Sequence, residues 1–200
     1  PRDHRCCQHN VSHGWPYFAE HQWLALLQMR ARELAPGGVF VAALPAAEAD
    51  WPERKGLYWQ VVGDMNDVLA EWVAEGRIAQ STADAVVVPV WMRTLDEIRA
   101  PFDAGGGQVD GLVLEHLELF RLDNPYWDDD PAVFADRFMR SCLAWGRPLF
   151  EGAFAREGAD RAPALVADFV EQVRRRVEAS PDRMRWDYIE ALVVCRKEQP

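Results

Sequence analysis

The order of apolar patterns predicts an α/β fold with a long helical insertion after its first strand. Three observations carry this. A helix-period stretch is cut by Pro36-Gly37-Gly38 and followed at once by the apolar run Val39 to Leu44. A series of amphipathic stretches then intervenes before the next strand-like segment, Leu112 to Leu122. Further helix-period stretches separate that segment from a last one, Trp186 to Cys195.

The first fourteen residues show neither period and read as an irregular segment. From Phe18 onward, Trp23, Leu27, Ala31 and Leu34 recur at three- and four-residue steps, which places them on one helix face. The run Val39 to Leu44 is continuous in apolar residues, the pattern of a strand buried on both faces. After a polar loop, Val61, Met65, Val68, Leu69 and Trp72 mark a second amphipathic helix ending at Gly76. A short helix is expected near Ser81, and Val86 to Trp91 is expected to be extended around Pro89. Thr94-Leu95-Asp96-Glu97 has the form of a capping box, in which the Thr hydroxyl accepts from the Glu97 N–H and the Glu carboxylate from the Thr94 N–H. The helix it opens runs to about Phe102. Asp128-Asp129-Asp130-Pro131 is a helix start, with carboxylates at the positive end of the dipole and proline in the first turn. That helix is expected to reach Phe154. Another covers Pro163 to Val177, with Leu165, Phe169, Val173 and Val177 one turn apart. Gly105-Gly106-Gly107 reads as a flexible turn, because no strand, GxGxxG, helix order surrounds it.

A count of 32 acidic against 22 basic side chains gives a net charge of −10, which argues against a nucleic-acid partner. No apolar run approaches the roughly 20 residues of a membrane span, and no signal-peptide h-region is visible, so the expected location is the cytoplasm. Cysteines at 6, 7, 142 and 195 do not make a disulfide framework. His4, Cys6, Cys7, His9 and His13 match no paired ligand spacing, and no metal is expected. His116, beside Glu115, is read as a structural residue rather than a catalyst.

Several short blocks occur in an order that resembles the SABATH carboxyl methyltransferases. Arg30-Ala31-Arg32-Glu33-Leu34-Ala35-Pro36-Gly37-Gly38 is similar to that family's "RA-x-EL-x-PGG". Tyr58-Trp59-Gln60, with Trp72-Val73-Ala74-Glu75-Gly76-Arg77-Ile78 at the end of the same helix, resembles "W-Q … LV-x-EG-x-I". Val88-Pro89-Val90-Trp91 followed by Thr94-Leu95-Asp96-Glu97-Ile98 is similar to "P-x-Y-x-PS-x-EE", and Phe138-Met139-Arg140 with Arg147-Pro148-Leu149-Phe150 to "RA-x-x-EPLL". The resemblance covers about Trp15 to Lys197. It implies the C-terminal part of a class I, Rossmann-like methyltransferase sheet, with a helical cap inserted at about 57–105 and 125–160.

What the resemblance, to the salicylate- and jasmonate-type members of that family, implies chemically is methyl transfer from S-adenosylmethionine to the carboxylate of a small aromatic or hydrophobic acid. The acceptor is already ionised at neutral pH, so no general base is needed. The enzyme's work is then orientation and exclusion of water. By residue-to-residue matching, Trp59 falls on the family's substrate-pocket tryptophan and Trp91 on a pocket tyrosine. Phe138 falls on a pocket methionine, with a shift to Met139 or Cys142 also open, and Tyr58 is a weaker candidate. Trp15 is the one indole near the position of the family's "W-L-S" stretch. A complete member also carries a glycine-rich turn and a ribose-binding acidic residue ahead of these blocks, and neither occurs in this sequence. Two readings follow: an acid methyltransferase, or a truncated or degenerate relative that binds a small acid or serves as an association module. No binding of S-adenosylmethionine by this chain alone is expected. Its first strand would lack one neighbour, so either self-association into a homo-oligomer through that edge, or cover by the N-terminal residues or a helix, is anticipated.

Overall fold

The computed structural model describes residues 15–48, 57–88, 91–103, 109–185 and 188–199, with the backbone alone for 15, 16 and 57–59. Its elements are α1 (Trp15–Glu33), β1 (Val39–Pro45), α2 (Leu57–Ala74), α3 (Gln80–Ala83), α4 (Leu95–Asp103), β2 (Leu112–Leu122), α5 (Pro131–Phe154), α6 (Ala162–Ala179) and β3 (Tyr188–Lys197). They divide into two compact units, a sheet unit of α1, α4 and the three strands, and a helical unit of α2, α3, α5 and α6.

The sheet unit is organised by the turn between α1 and β1. Gly37 has φ +78°, a conformation that L side chains rarely adopt. A Cβ on Gly38 would meet the Ala35 carbonyl at 2.8 Å. The motif needs both glycines, each for a different reason. The sheet has the order β1-β3-β2, with β3 antiparallel to both neighbours. Trp23, Leu27 and Ala31 of α1 and Ile98 of α4 pack with Ala191, Val193 and Cys195 of β3. Phe40, Ala42 and Leu44 line the same core, as do Leu114, Leu117 and Leu119. A register shift between Leu114 and His116 explains how positions 114 and 117 share a face despite their odd spacing.

One expectation is corrected. β1 is not buried on both faces: its residues alternate between packed and exposed, and Val39 and Val41 lie open to solvent. α1 and α4 cover one face, and among the described residues β1 is laddered to β3 alone. β3 also runs on to Lys197, because Arg196 pairs with Val39 and Lys197 with Leu112. Trp186, the expected start of that strand, lies outside the described residues, as do Pro89 and the 105–107 glycines.

In the helical unit the apolar stripe of α2 is buried from Val61 to Trp72. Trp72 sits among Phe154 and Phe169, its indole N–H donating to Gln172 Oε1 at 3.0 Å and the Arg77 guanidinium stacking 3.8 Å from its ring. Asp130 caps α5, its carboxylate accepting from the N–H groups of Ala132 and Val133 ahead of a proline-started helix. The Glu157 carboxylate accepts from the Ala79 N–H at 2.7 Å and from the Thr82 hydroxyl, which fixes the start of α3. The predicted stripe Leu165, Phe169, Val173 and Val177 of α6 is buried throughout.

Candidate functional site

Two stretches of the helical unit carry sequence-predicted site residues. The first turn of α2 holds Tyr58 and Trp59, whose side chains lie outside the described residues, and Gln60. α5 holds Phe138, Met139 and Cys142, all buried. Phe138 is stacked on Phe134 at 5.7 Å between centroids and tilted against Tyr126 at 6.3 Å. The Cys142 thiol is pushed up to about 12 by burial, so it is held neutral and is no nucleophile. Of this aromatic group, Phe138 is enclosed and Tyr126 is half-buried.

Tyr126 is placed by a tight turn. The Asn124 side-chain oxygen accepts from the Tyr126 N–H at 3.0 Å, and the Asn124 carbonyl from the Trp127 N–H at 3.1 Å. The Asn124 amide then donates to the Met184 carbonyl at 3.0 Å. Asp64 is the one buried acid of the unit's described residues. Its Oδ1 accepts from Arg183 at 3.1 Å, while its Oδ2 is buried with no hydrogen-bond partner. Burial raises the Asp64 pKa from the ordinary carboxylate value, against the pull of Arg183.

Trp91 belongs to the sheet unit. It is half-buried, and its indole N–H donates to Glu97 Oε1 at 3.3 Å. Glu97 Oε2 accepts from the Thr94 N–H at 2.8 Å, and the Glu97 N–H donates to the Thr94 hydroxyl, so the predicted capping box forms and also anchors this indole. Arg93, between them, is half-buried over Trp23 and donates to the Ala19 carbonyl at 2.7 Å; desolvation lowers its pKa. His116 is exposed and lies 3.3 Å from the Glu118 carboxylate.

Sequence reasoning missed Asp64, Tyr126, Arg183 and Arg185. Asp64 was detectable as the acid one turn from both Val61 and Val68, at the rim of an apolar stripe. The other three sit in short turns, where no periodicity marks their contacts.

The family model described as SAM dependent carboxyl methyltransferase matches residues 11–198. The chain belongs to that family. A 7-methylxanthine methyltransferase of Camellia ptilophylla is 27% identical over 138 residues, covering 68% of this chain and 36% of that protein. Caffeine synthase 1 of Camellia taliensis is 24% identical over 151 residues, covering 72% and 39%. Among solved structures, a loganic acid methyltransferase with SAH superposes with a TM-score of 0.74 at 16% identity, over 94% of this chain and 51% of that one. The fold is therefore that of a methyltransferase, and the chain spans about half the length of the solved member or less than half of the curated relatives. The glycine-rich turn and ribose-binding acid that would hold the methyl donor are not among the described residues. At the carboxyl end of β1 the Ala46 N–H donates to the Ile189 carbonyl, the Ala47 N–H to the Arg93 carbonyl, and Glu48 Oε1 pairs with Arg121. These residues do not by themselves build a donor site.

Proposed function

We propose that this chain is the acceptor-binding part of an enzyme that methylates the carboxylate of a small aromatic or hydrophobic acid, of the salicylate or jasmonate type, in the cytoplasm. S-adenosylmethionine supplies the methyl group. The protein's own contribution is to grip the flat body of the acid, aim the carboxylate and keep water out. The residues proposed to contact the acceptor are Trp59 and Tyr58 at the start of α2 and Phe138 and Met139 on α5, all in the helical unit, with Trp91 of the sheet unit proposed from its motif position alone. Supporting this are the match over 11–198 and the aromatic group around Phe138. A base is not needed, because a carboxylate with an ordinary pKa near 4 is ionised at neutral pH.

The single observation that carries the reading is the family match over nearly the whole chain. A Camellia sinensis var. assamica relative described as a 3,7-dimethylxanthine N-methyltransferase points to a second acceptor class, in which a nitrogen takes the methyl group. Calorimetric titration separates the two. Benzoate is expected to bind the chain, the Trp59→Ala variant to lose about tenfold or more in affinity, and S-adenosylmethionine to give no heat. Tighter binding of 7-methylxanthine than of benzoate would move the acceptor to the nitrogen class.

A further inference from the structure

Three consecutive residues just ahead of β3 are each held by a different group of the helical unit. Arg183 Nη2 donates to Asp64 Oδ1 at 3.1 Å and to Gln60 Oε1 at 3.4 Å. Met184 is fully buried, and its carbonyl accepts from the Asn124 amide at 3.0 Å. The Arg185 guanidinium lies 4.5 Å from the centre of the Trp127 ring. These partners are not scattered. Gln60 follows Trp59 directly on the first turn of α2, and Asn124 and Trp127 bracket Tyr126, whose ring meets Phe138.

The Asp64–Arg183 pair is a costly way to hold a helix. One carboxylate oxygen of Asp64 is buried without a partner, and such a group carries a desolvation penalty that an apolar side chain would avoid. The neighbouring turns of α2 pack with Val61, Met65 and Val68 at no such cost. Arg176 of α6 pairs with Glu71 and Asp67, and among the described residues Arg183 is the cation hydrogen-bonded to Asp64. What an ion pair gives that a leucine does not is a fixed direction and register, because its hydrogen bonds are satisfied in one geometry only.

We propose that Arg183 is a positioning residue of the acceptor site: paired with Asp64, it sets the first turn of α2, and with it Trp59, in register with the turn that carries Tyr126 beside Phe138. This rests on the assignment of Trp59 and Phe138 to the acceptor wall. The strap 183–185 joins α2 next to Trp59 to the turn that carries Tyr126, through Gln60 and Asp64 on one side and Asn124 and Trp127 on the other.

The test titrates benzoate into the full chain, following the indole NMR signals, for the wild type, Trp59→Ala, Arg183→Met, Arg183→Lys and Gln60→Met. Arg183→Met is expected to weaken benzoate binding by about tenfold or more, since a shift of about 1 Å in a positioning element has effects of that size. Arg183→Lys keeps a cation that reaches Asp64 and is expected to recover most of the affinity. Should Arg183→Met fail to fold, Gln60→Met leaves the ion pair intact and is still expected to weaken binding and to move the Trp59 indole signal. A purely structural role would lower the melting temperature of Arg183→Met while leaving benzoate affinity and the Trp59 signal as in the wild type. That result, or unchanged binding by a folded Gln60→Met when Arg183→Met does not fold, overturns the inference while Trp59→Ala still loses binding. If the wild type does not bind, or Trp59→Ala binds as well as the wild type, the assignment of the wall itself fails and the inference falls with it.

Discussion

Glu190 lies on the sheet face opposite the α1 helix, between its cross-strand partners Pro45 and Phe120. It is half-buried, and desolvation alone raises its pKa from the ordinary glutamate value. The protonated form is favoured by folding, so the associated stability is complete below the unfolded-state pKa and is lost as pH rises through the higher folded value. Glu190→Gln is therefore expected to raise the melting midpoint at pH 7 and to leave it unchanged at pH 3. Thermal scans at the two pH values check this, and equal midpoints at pH 7 would show that the carboxylate is well solvated. Nothing in the sequence marked Glu190. A lone acid in a strand reads as solvent-facing, and only the register that sets it beside Pro45 and Phe120 reveals its surroundings. Gly37 and Gly38 are the opposite case, since a proline-glycine-glycine run after a helix states its backbone demands outright.

Elements whose ends are fixed by local chemistry were legible, and elements whose burial depends on neighbours were not. The Thr94–Glu97 capping box and the Asp130 cap form as read, because both involve residues within one turn of each other. The apolar stripes of α2 and α6 also hold, since one helix face is defined by spacing alone. β1 fails that test: a run of apolar residues says that a strand can be covered on both sides, not that it is. Among the described residues, its exposed Val39 and Val41, its single ladder partner and its freedom from charged residues make it an edge without the usual deterrents to pairing. On a chain of net charge −10, this is a segment where two copies can meet without opposing like charges. We propose that the chain self-associates through β1. Light scattering after size-exclusion chromatography is expected to give twice the 22.8 kDa chain mass, and Val41→Lys to return it to that mass. A wild-type monomer at micromolar concentration would contradict it.

At the scale of the molecule, the order of blocks along the chain foretold the strand arrangement. Val39 to Leu44, Leu112 to Leu122 and the last strand do lie side by side, with the last between the other two. The candidate site was legible only in part. Trp91 and the Phe138 region were named from motif positions, but the strap that ties Gln60 and Asp64 to Arg183 joins residues more than a hundred positions apart, and no local pattern encodes such a contact. The account places the acceptor wall in this chain and the methyl donor outside it, so the chain joined to a donor-binding segment is expected to transfer the methyl group. Methyl transfer by such a joined protein is the most direct test. The N-terminal half of the loganic acid methyltransferase, fused ahead of Trp15, is supplied with methyl-labelled S-adenosylmethionine and offered benzoate or 7-methylxanthine. The predicted product is a labelled benzoate ester that releases its label in base and is not formed by the Trp59→Ala fusion. Label carried only on 7-methylxanthine and stable to base, or ester formation unaffected by Trp59→Ala, would contradict the account.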